Sequence, residues 1–223
     1  MNKSILVIAA HPDDEVLGCG GTIARHVIDG DTVNIVFMSD GVKSRINSTD
    51  DAVDNRKKAA INASKVLGLS CEHIFLGFPD NSIDTIPLLE LVQSLEKVVQ
   101  KFLPDVVYTH HAGDLNIDHQ LTHDAAMTAC RPLPGFCVKE IYSFEVLSSS
   151  EWSVKKPFIP NYFVDISTTF ELKMLAIKQY DFEMRKFPHP RSIEAVEALY
   201  KFRGAISGLK AAEAFIVERL IYS

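Results

Sequence analysis

Residues 5–10 form an unbroken apolar run, and it ends on His11-Pro12-Asp13-Asp14-Glu15. An apolar run of this length without alternation marks a strand buried on both faces, the kind found in parallel sheets flanked by helices. The same theme repeats downstream. Strand patterns cover 32–38, 73–76 and 105–108. Helical patterns begin at Gly20-Gly21 and end at Asp29-Gly30, then cover 52–67, 88–102 and 118–130, with Gly68 in a C-terminal stop position. Residues 39–51, 77–81 and 109–117 read as loops. Strand and helix alternate through residue 130, which predicts an α/β chain: a Rossmann-like, mostly parallel sheet with right-handed crossovers and helices on both faces. Beyond that point strands are expected at 141–147 and 162–166. Thr168-x-x-Glu171 reads as a capping box for a helix reaching Tyr180. A helix over 192–202 and a last element over 211–221 complete a C-terminal part that covers the site. Residues 1–223 read as a single domain.

Composition narrows the function. A net charge of −6 and the absence of a basic stripe give no reason to expect nucleic-acid binding. Arg56-Lys57-Lys58, the most basic cluster, reads as a solvated helix face. No apolar run approaches the roughly 20 residues needed to span a bilayer. The first apolar stretch runs into three carboxylates rather than small residues, so it reads as a strand and not a signal peptide, and the expected location is cytoplasmic. Cys19, Cys71, Cys130 and Cys137 show no C-x-x-C spacing and are expected as reduced thiols. Self-association into a homo-oligomer is left open.

Ligands of open α/β sheets bind at the carboxyl ends of the strands. Two polar clusters fall there: 11–15 after the first strand, and His110-His111-Ala112-Gly113-Asp114-Leu115-Asn116-Ile117-Asp118-His119 after the strand ending near Tyr108. Together they bring imidazoles and carboxylates to one cleft, a donor set that suits catalytic zinc with one position left for water. A carboxylate that does not bind the metal then takes the proton, and adjacent Asp13 and Asp14 offer that division. Against this stands a structural reading in which Pro12-Asp13-Asp14 caps the next helix. Burying adjacent carboxylates without a cation costs several kcal/mol, which disfavours it. Gly18-Cys19-Gly20-Gly21 suggests a non-catalytic nucleotide- or sugar-binding module, but G-x-G-x-x-G is absent and acidic residues stand where pyrophosphate would sit.

Ala10-His11-Pro12-Asp13-Asp14-Glu15 with Leu17-Gly18-Cys19-Gly20-Gly21-Thr22 resembles the signature of the LmbE-like, or PIG-L, family, zinc-dependent N-deacetylases of N-acetylglucosamine-type compounds. Asn116-x-Asp118-His119 resembles the family's second motif. His189-Pro190-Arg191-Ser192, Arg203-Gly204 and 212–215 resemble members that deacetylate small sugar conjugates. The resemblance implies Zn2+ held by His11, Asp14 and His119, Asp13 as general base, and a small-molecule N-acetylated amino sugar or glycoside as substrate. Many members carry His where this chain has Asn116. Either Asn116 keeps only the oxyanion-stabilising half of that role, or His110 or His111 takes over the rest. Asp118 is expected to orient a ligand. Arg56, Asp80, Asn81, His110 and Arg191 are candidate substrate contacts, with Arg191 suited to an anionic aglycone. His123 is expected behind the ligands or in solvent, His26 and His73 at the surface. Trp152 is a sugar platform or a loop anchor, and Glu145 and Glu213 are site-facing or structural.

Overall fold

The computed structural model describes residues 2–42, 50–70 and 72–222. Among these residues seven strands form one sheet: β1 (Ser4–Ala9), β2 (Thr32–Ser39), β3 (His73–Phe78), β4 (Val106–His110), β5 (Glu140–Phe144), β6 (Tyr162–Asp165) and β7 (Ala212–Leu220). Their order across the sheet is β3-β2-β1-β4-β5-β7-β6. The first five are parallel, and β7 runs antiparallel to both β5 and β6. Among the described residues six α-helices accompany them: α1 (Asp14–Ile28), α2 (Asp50–Val66), α3 (Leu88–Phe102), α4 (Ile117–Ala129), α5 (Phe170–Ile177) and α6 (Ile193–Ser207). The mostly parallel α/β architecture read from the sequence is therefore present.

Alternate side chains of the central strands feed two cores. Ile5, Val7 and Ala9 face α1, α5 and α6, while Leu6 and Ile8 face α3 and α4. That two-sided burial explains why these strands read as continuous apolar runs. The chain leaves β1 for β2 on one side and later enters β4 on the other, so the strand order reverses between β1 and β4. Their carboxyl ends form the crevice where ligands of such sheets bind. The two polar clusters emerge on either side of it.

Several boundaries differ from expectation. Helix α1 starts at Asp14, not at Gly20, and contains a break at Cys19 (φ −143°). Gly20 restarts a helix already begun. Gly18 and Gly21 serve close packing rather than a phosphate: a Cβ on Gly18 would lie 2.2 Å from the Phe144 ring, and one on Gly21 2.8 Å from Ile166. The break is closed by buried groups from far along the chain. Lys173 Nζ and the Tyr200 hydroxyl donate to the Leu17 carbonyl. Glu213 accepts the backbone N–H groups of Gly21 and Thr22 and pairs with Lys173. Glu213 is thus structural, and so is Glu145, which is paired with Arg203. The capping box at Thr168 is not formed. Thr169 precedes α5 without a side-chain cap, because its hydroxyl donates to Gly21 O of the neighbouring helix α1. That helix ends at Ile177 and gives way to a 3-10 segment, Lys178–Glu183. Strand β5 ends at Phe144 rather than 147. Residues 43–49 of the expected 39–51 loop, and Cys71, lie outside the described residues. Cys19, Cys130 and Cys137 are free thiols. No described helix is long and apolar enough to cross a membrane.

Candidate metal centre

Three ligand atoms converge between the ends of β1 and β4. His11 Nδ1 and Asp14 Oδ2 are 3.1 Å apart, His119 Nε2 and Asp14 Oδ2 are 3.3 Å apart, and His119 Nε2 and His11 Nδ1 are 3.3 Å apart. Atoms held at about 2.0–2.1 Å from one tetrahedral metal are separated by roughly 3.3 Å, so this near-equilateral triangle fits a single small divalent ion. All three residues are buried, and Asp14 Oδ1 has no hydrogen-bond partner. A buried carboxylate left in that state fits a cation beside it.

Local structure explains the convergence. His11 closes the turn after β1, and its main-chain N–H donates to Asp14 Oδ2. Asp14 opens α1 three residues later. His119 lies in the first turn of α4, whose N-cap is Asn116: Asn116 Oδ1 accepts the Asp118 N–H at 2.8 Å. Helix α4 therefore begins at Ile117 rather than Asp118, and the cap fixes how Asp118 and His119 project.

A carboxylate stands behind each histidine. Asp118 Oδ2 is 3.0 Å from His11 Nε2 and also accepts the Asn81 N–H, while Asp118 Oδ1 accepts the Ile83 N–H. Asp114 Oδ1 is 3.2 Å from His119 Nδ1. Placing the ring hydrogen on the nitrogen that faces each carboxylate leaves a lone pair on the nitrogen facing the triangle. Burial alone would favour the neutral His119 ring, but Asp14 and Asp114 outweigh it and push its pKa to about 10. Burial would likewise favour protonated Asp14. The His119 charge, with hydrogen bonds from His11 and His119, instead holds it well below the usual carboxylate range. Asp114 was part of the sequence cluster but had no assigned role. Its function depends on contacts with His119, Ser149 and Ser150 that a linear pattern does not display.

Asp13 has the left-handed backbone value φ 125°, a costly conformation for a residue with a side chain. Its Oδ2 is held by Arg191 Nη1 at 2.8 Å and by Arg56 Nη2 at 3.1 Å, while its Oδ1 is buried without a partner. Burial raises the Asp13 pKa, against the opposing pull of the two guanidinium groups. Arg56 is itself buried, and it also donates to Pro12 O, Gly41 O and Glu183. Arg191 additionally donates through Nε to Ser148. Both arginines, read from sequence as substrate contacts, therefore hold Asp13.

The other nominated residues also lie here. Asp80 Oδ1 is 3.4 Å from His11 Nε2 and accepts from Asn81 Nδ2. His110 is fully buried and stacked on His119 at 4.0 Å, and its Nε2 accepts the Ala10 N–H at 2.8 Å. Burial, reinforced by the His119 charge, pushes its pKa well down and keeps it neutral. His111 Nε2 donates to Lys156 O at 3.0 Å and pins the segment after β5. His123, neither solvated nor on the metal, bonds His110 O at 2.9 Å. His26 and His73 are half-buried, against Asp31 and Tyr108 and against Ser64 and aromatic rings respectively. Glu15, beneath the site, accepts from Tyr180 and from the Asp13 N–H, and burial raises its pKa to about 8.

The sequence and the fold have counterparts among known proteins. The uncharacterized deacetylase YaiS of Escherichia coli K12 is 34% identical over 184 residues, covering 80% of this chain and 90% of that protein. The 4-oxalmesaconate hydratase of Pseudomonas putida KT2440 is 29% identical over 196 residues, covering 79% and 72%. The crystal structure of the conserved protein TT1542 from Thermus thermophilus superposes with a TM-score of 0.80 at 28% identity, covering 99% of this chain and 97% of that one. Residues 6–130 match the PIG-L description, GlcNAc-PI de-N-acetylase. The chain is an enzyme of the PIG-L family of metal-dependent N-deacetylases.

Proposed function

We propose that this enzyme uses zinc to hydrolyse the acetamide of an amino sugar or its glycoside, releasing acetate and the free amine. The observation that carries the reading is the triangle of His11, Asp14 and His119 with the unpartnered Asp13 Oδ1 in the adjacent residue. Two histidines and one carboxylate are a common catalytic zinc set. Zinc bound there supplies Lewis acidity toward the amide carbonyl and lowers the pKa of water.

The chain's own groups perform the remaining steps. Asp13 Oδ1 takes the proton of the attacking water while Arg56 and Arg191 keep the carboxylate aimed. Asp13 then returns that proton to the amide nitrogen as the C–N bond breaks. Asn116 supports charge developing on the carbonyl oxygen. One of its Nδ2 hydrogens goes to Asn81 Oδ1, and the second is available to substrate. His110 acts by packing against His119 rather than by carrying a charge.

The test is to load the purified protein with zinc, offer N-acetylglucosamine and N-acetylated glycosides, and assay both acetate and primary amine. One acetate per amine supports the reading, and no release from any N-acetylated sugar overturns it. The hydratase relative favours a second reading, in which the same metal and base add water to an unsaturated acid. Water addition to 4-oxalmesaconate without acetate release from sugars selects that reading. A non-catalytic binding module, by contrast, would purify without stoichiometric metal.

A further inference from the structure

The strained backbone of Asp13 is gripped on both sides. Its carbonyl accepts the Leu17 N–H at 3.0 Å, an ordinary first-turn contact of α1. The peptide that leads into it is held by side chains alone. Pro12 O accepts Arg56 Nε at 2.8 Å, and the Asp13 N–H donates to Glu15 Oε2 at 2.9 Å. A residue with φ 125° keeps that conformation only where its surroundings over-determine it. Rotation of the Pro12–Asp13 peptide would swing the Asp13 Cβ, and the carboxylate with it, so the two contacts set where the side chain starts.

Glu15 is itself fixed from far along the chain. It is fully buried, and its Oε1 accepts the Tyr180 hydroxyl at 2.6 Å. Tyr180, also buried, lies 165 residues later, in the 3-10 segment Lys178–Glu183 that follows α5. The same segment ends on Glu183, whose Oε1 accepts Arg56 Nη1 at 2.8 Å, while Arg56 Nη2 is 3.1 Å from Asp13 Oδ2. One short segment therefore reaches Asp13 by two routes. Tyr180 and Glu15 lead to its main chain, and Glu183 and Arg56 lead to its carboxylate. Among the described residues, the side chains of Tyr180 and Glu15 make no hydrogen bond to His11, Asp14 or His119.

We infer that Tyr180 is a positioning residue for the reaction: its hydroxyl holds Glu15, Glu15 holds the Asp13 N–H, and the base is kept in the backbone conformation that aims Oδ1 at the attacking water. This rests on the deacetylase reading, in which Asp13 is the base. Asp13 Oδ1 has no hydrogen-bond partner, so its direction is inherited from the backbone and from the two arginines on Oδ2. Misplacing a reacting group by about 1 Å costs up to about 10²-fold in rate, so a contact two side chains away from the chemistry is enough to govern it.

Tyr180→Phe removes one oxygen and keeps the ring. Zinc-loaded parent and variant are compared by acetate release from N-acetylglucosamine and N-acetylated glycosides, by chelator competition, and by hydrogen exchange of the Asp13 amide read by fragmentation mass spectrometry. Turnover is expected to fall roughly 10–10²-fold with KM within about twofold, the pattern of an interaction used only in the transition state. Zinc affinity is expected to be unchanged. The Asp13 amide is expected to exchange roughly fivefold faster, the scale of one lost hydrogen bond, with the amides of β1 unaffected. Glu15→Ala, or Glu15→Met if that chain does not fold, is expected to act at least as strongly. Adding Tyr180→Phe to it is expected to change turnover less than about twofold, because the route is already cut. In an active parent, unaltered turnover in Tyr180→Phe overturns the role, and so does a loss that persists undiminished once Glu15 is gone. A Tyr180→Phe chain that fails to fold, or that loses zinc affinity in step with turnover, also overturns it, because the phenol then holds the scaffold rather than the base. If the parent releases no acetate, the deacetylase reading fails on its own and exchange decides: faster exchange confined to Asp13 leaves the positioning role standing, and parental exchange removes it.

Discussion

Asp118 Oδ2 lies 3.0 Å from His11 Nε2, on the side of the imidazole away from the metal triangle. Asp114 stands in the same relation to His119, so one candidate ligand histidine is faced by a carboxylate from the first turn of α4 and the other by a carboxylate from the loop before it. Asp118→Asn and Asp114→Asn keep all three ligands but weaken that orientation. Each is expected to lower zinc affinity about 10–100-fold, with one zinc per chain restored at saturation. Chelator competition measures this, and unchanged affinity in both variants sinks the orienting role.

Asp13 and Asp14 are adjacent and chemically alike, yet they face different partners. Asp13→Asn is expected to retain zinc while turnover falls by roughly 10²–10⁴, the scale of a lost general base. Asp14→Asn is expected to lose zinc, with partial recovery at high zinc. Metal analysis beside kinetics separates them, and the reverse pattern exchanges the two roles.

Arg56 is buried between Asp13 and Glu183. Arg56→Met leaves both carboxylates without that partner, and breaking a buried pair in this way costs about 3–5 kcal/mol. Urea unfolding checks it. A loss below about 1 kcal/mol, the range of exposed pairs, would show that the network does not hold the fold.

How much of the site is legible in the sequence depends on distance along the chain. His11 and Asp14 share a four-residue turn, and His119 sits at an equivalent strand end, so motif and strand pattern find them together. The partners of Asp13 are not legible, because Arg191 lies 178 residues away and returns only through the C-terminal elements. Lys173, an ordinary helix residue by its pattern, is buried because a break in α1 needs a donor. Helix starts are misplaced where a functional residue occupies the first turn: Asp14 in α1 reads as loop because its neighbours are acidic rather than apolar.

Glu15 yields a pH prediction. Its pKa, raised by burial to about 8 from an ordinary value of 4.5, means that the folded chain keeps a proton the unfolded chain has released. Stability contributed by that proton is present below pH 4.5 and is lost as pH rises through 8, by up to about 1.4 kcal/mol per unit. Glu15→Gln removes the titration. In metal-free protein the variant is expected to gain on the parent steadily between about pH 5 and 8 in chemical denaturation. A constant difference across that range contradicts the buried neutral acid.

Asn116→Ala is expected to lower turnover by no more than about 2.7–4 kcal/mol, the cost of one oxyanion donor, with zinc content retained. Part of any loss in stability is the missing cap of α4, about 1 kcal/mol. Thermal unfolding run beside kinetics separates the two. Unaltered turnover removes Asn116 from the reaction and makes His111 the next residue to examine.

The closure of α1 also sets an order of events during synthesis. The family match ends at residue 130, and all three candidate metal ligands precede that point in the chain. The Leu17 carbonyl waits for Lys173, 156 residues later, and the Gly21 N–H waits for Glu213, 192 residues later. Until those side chains emerge, the helix that carries Asp14 has an open middle with unsatisfied backbone groups. A chain that stops at residue 130 carries the candidate ligand set without the side chains that close the helix beneath it.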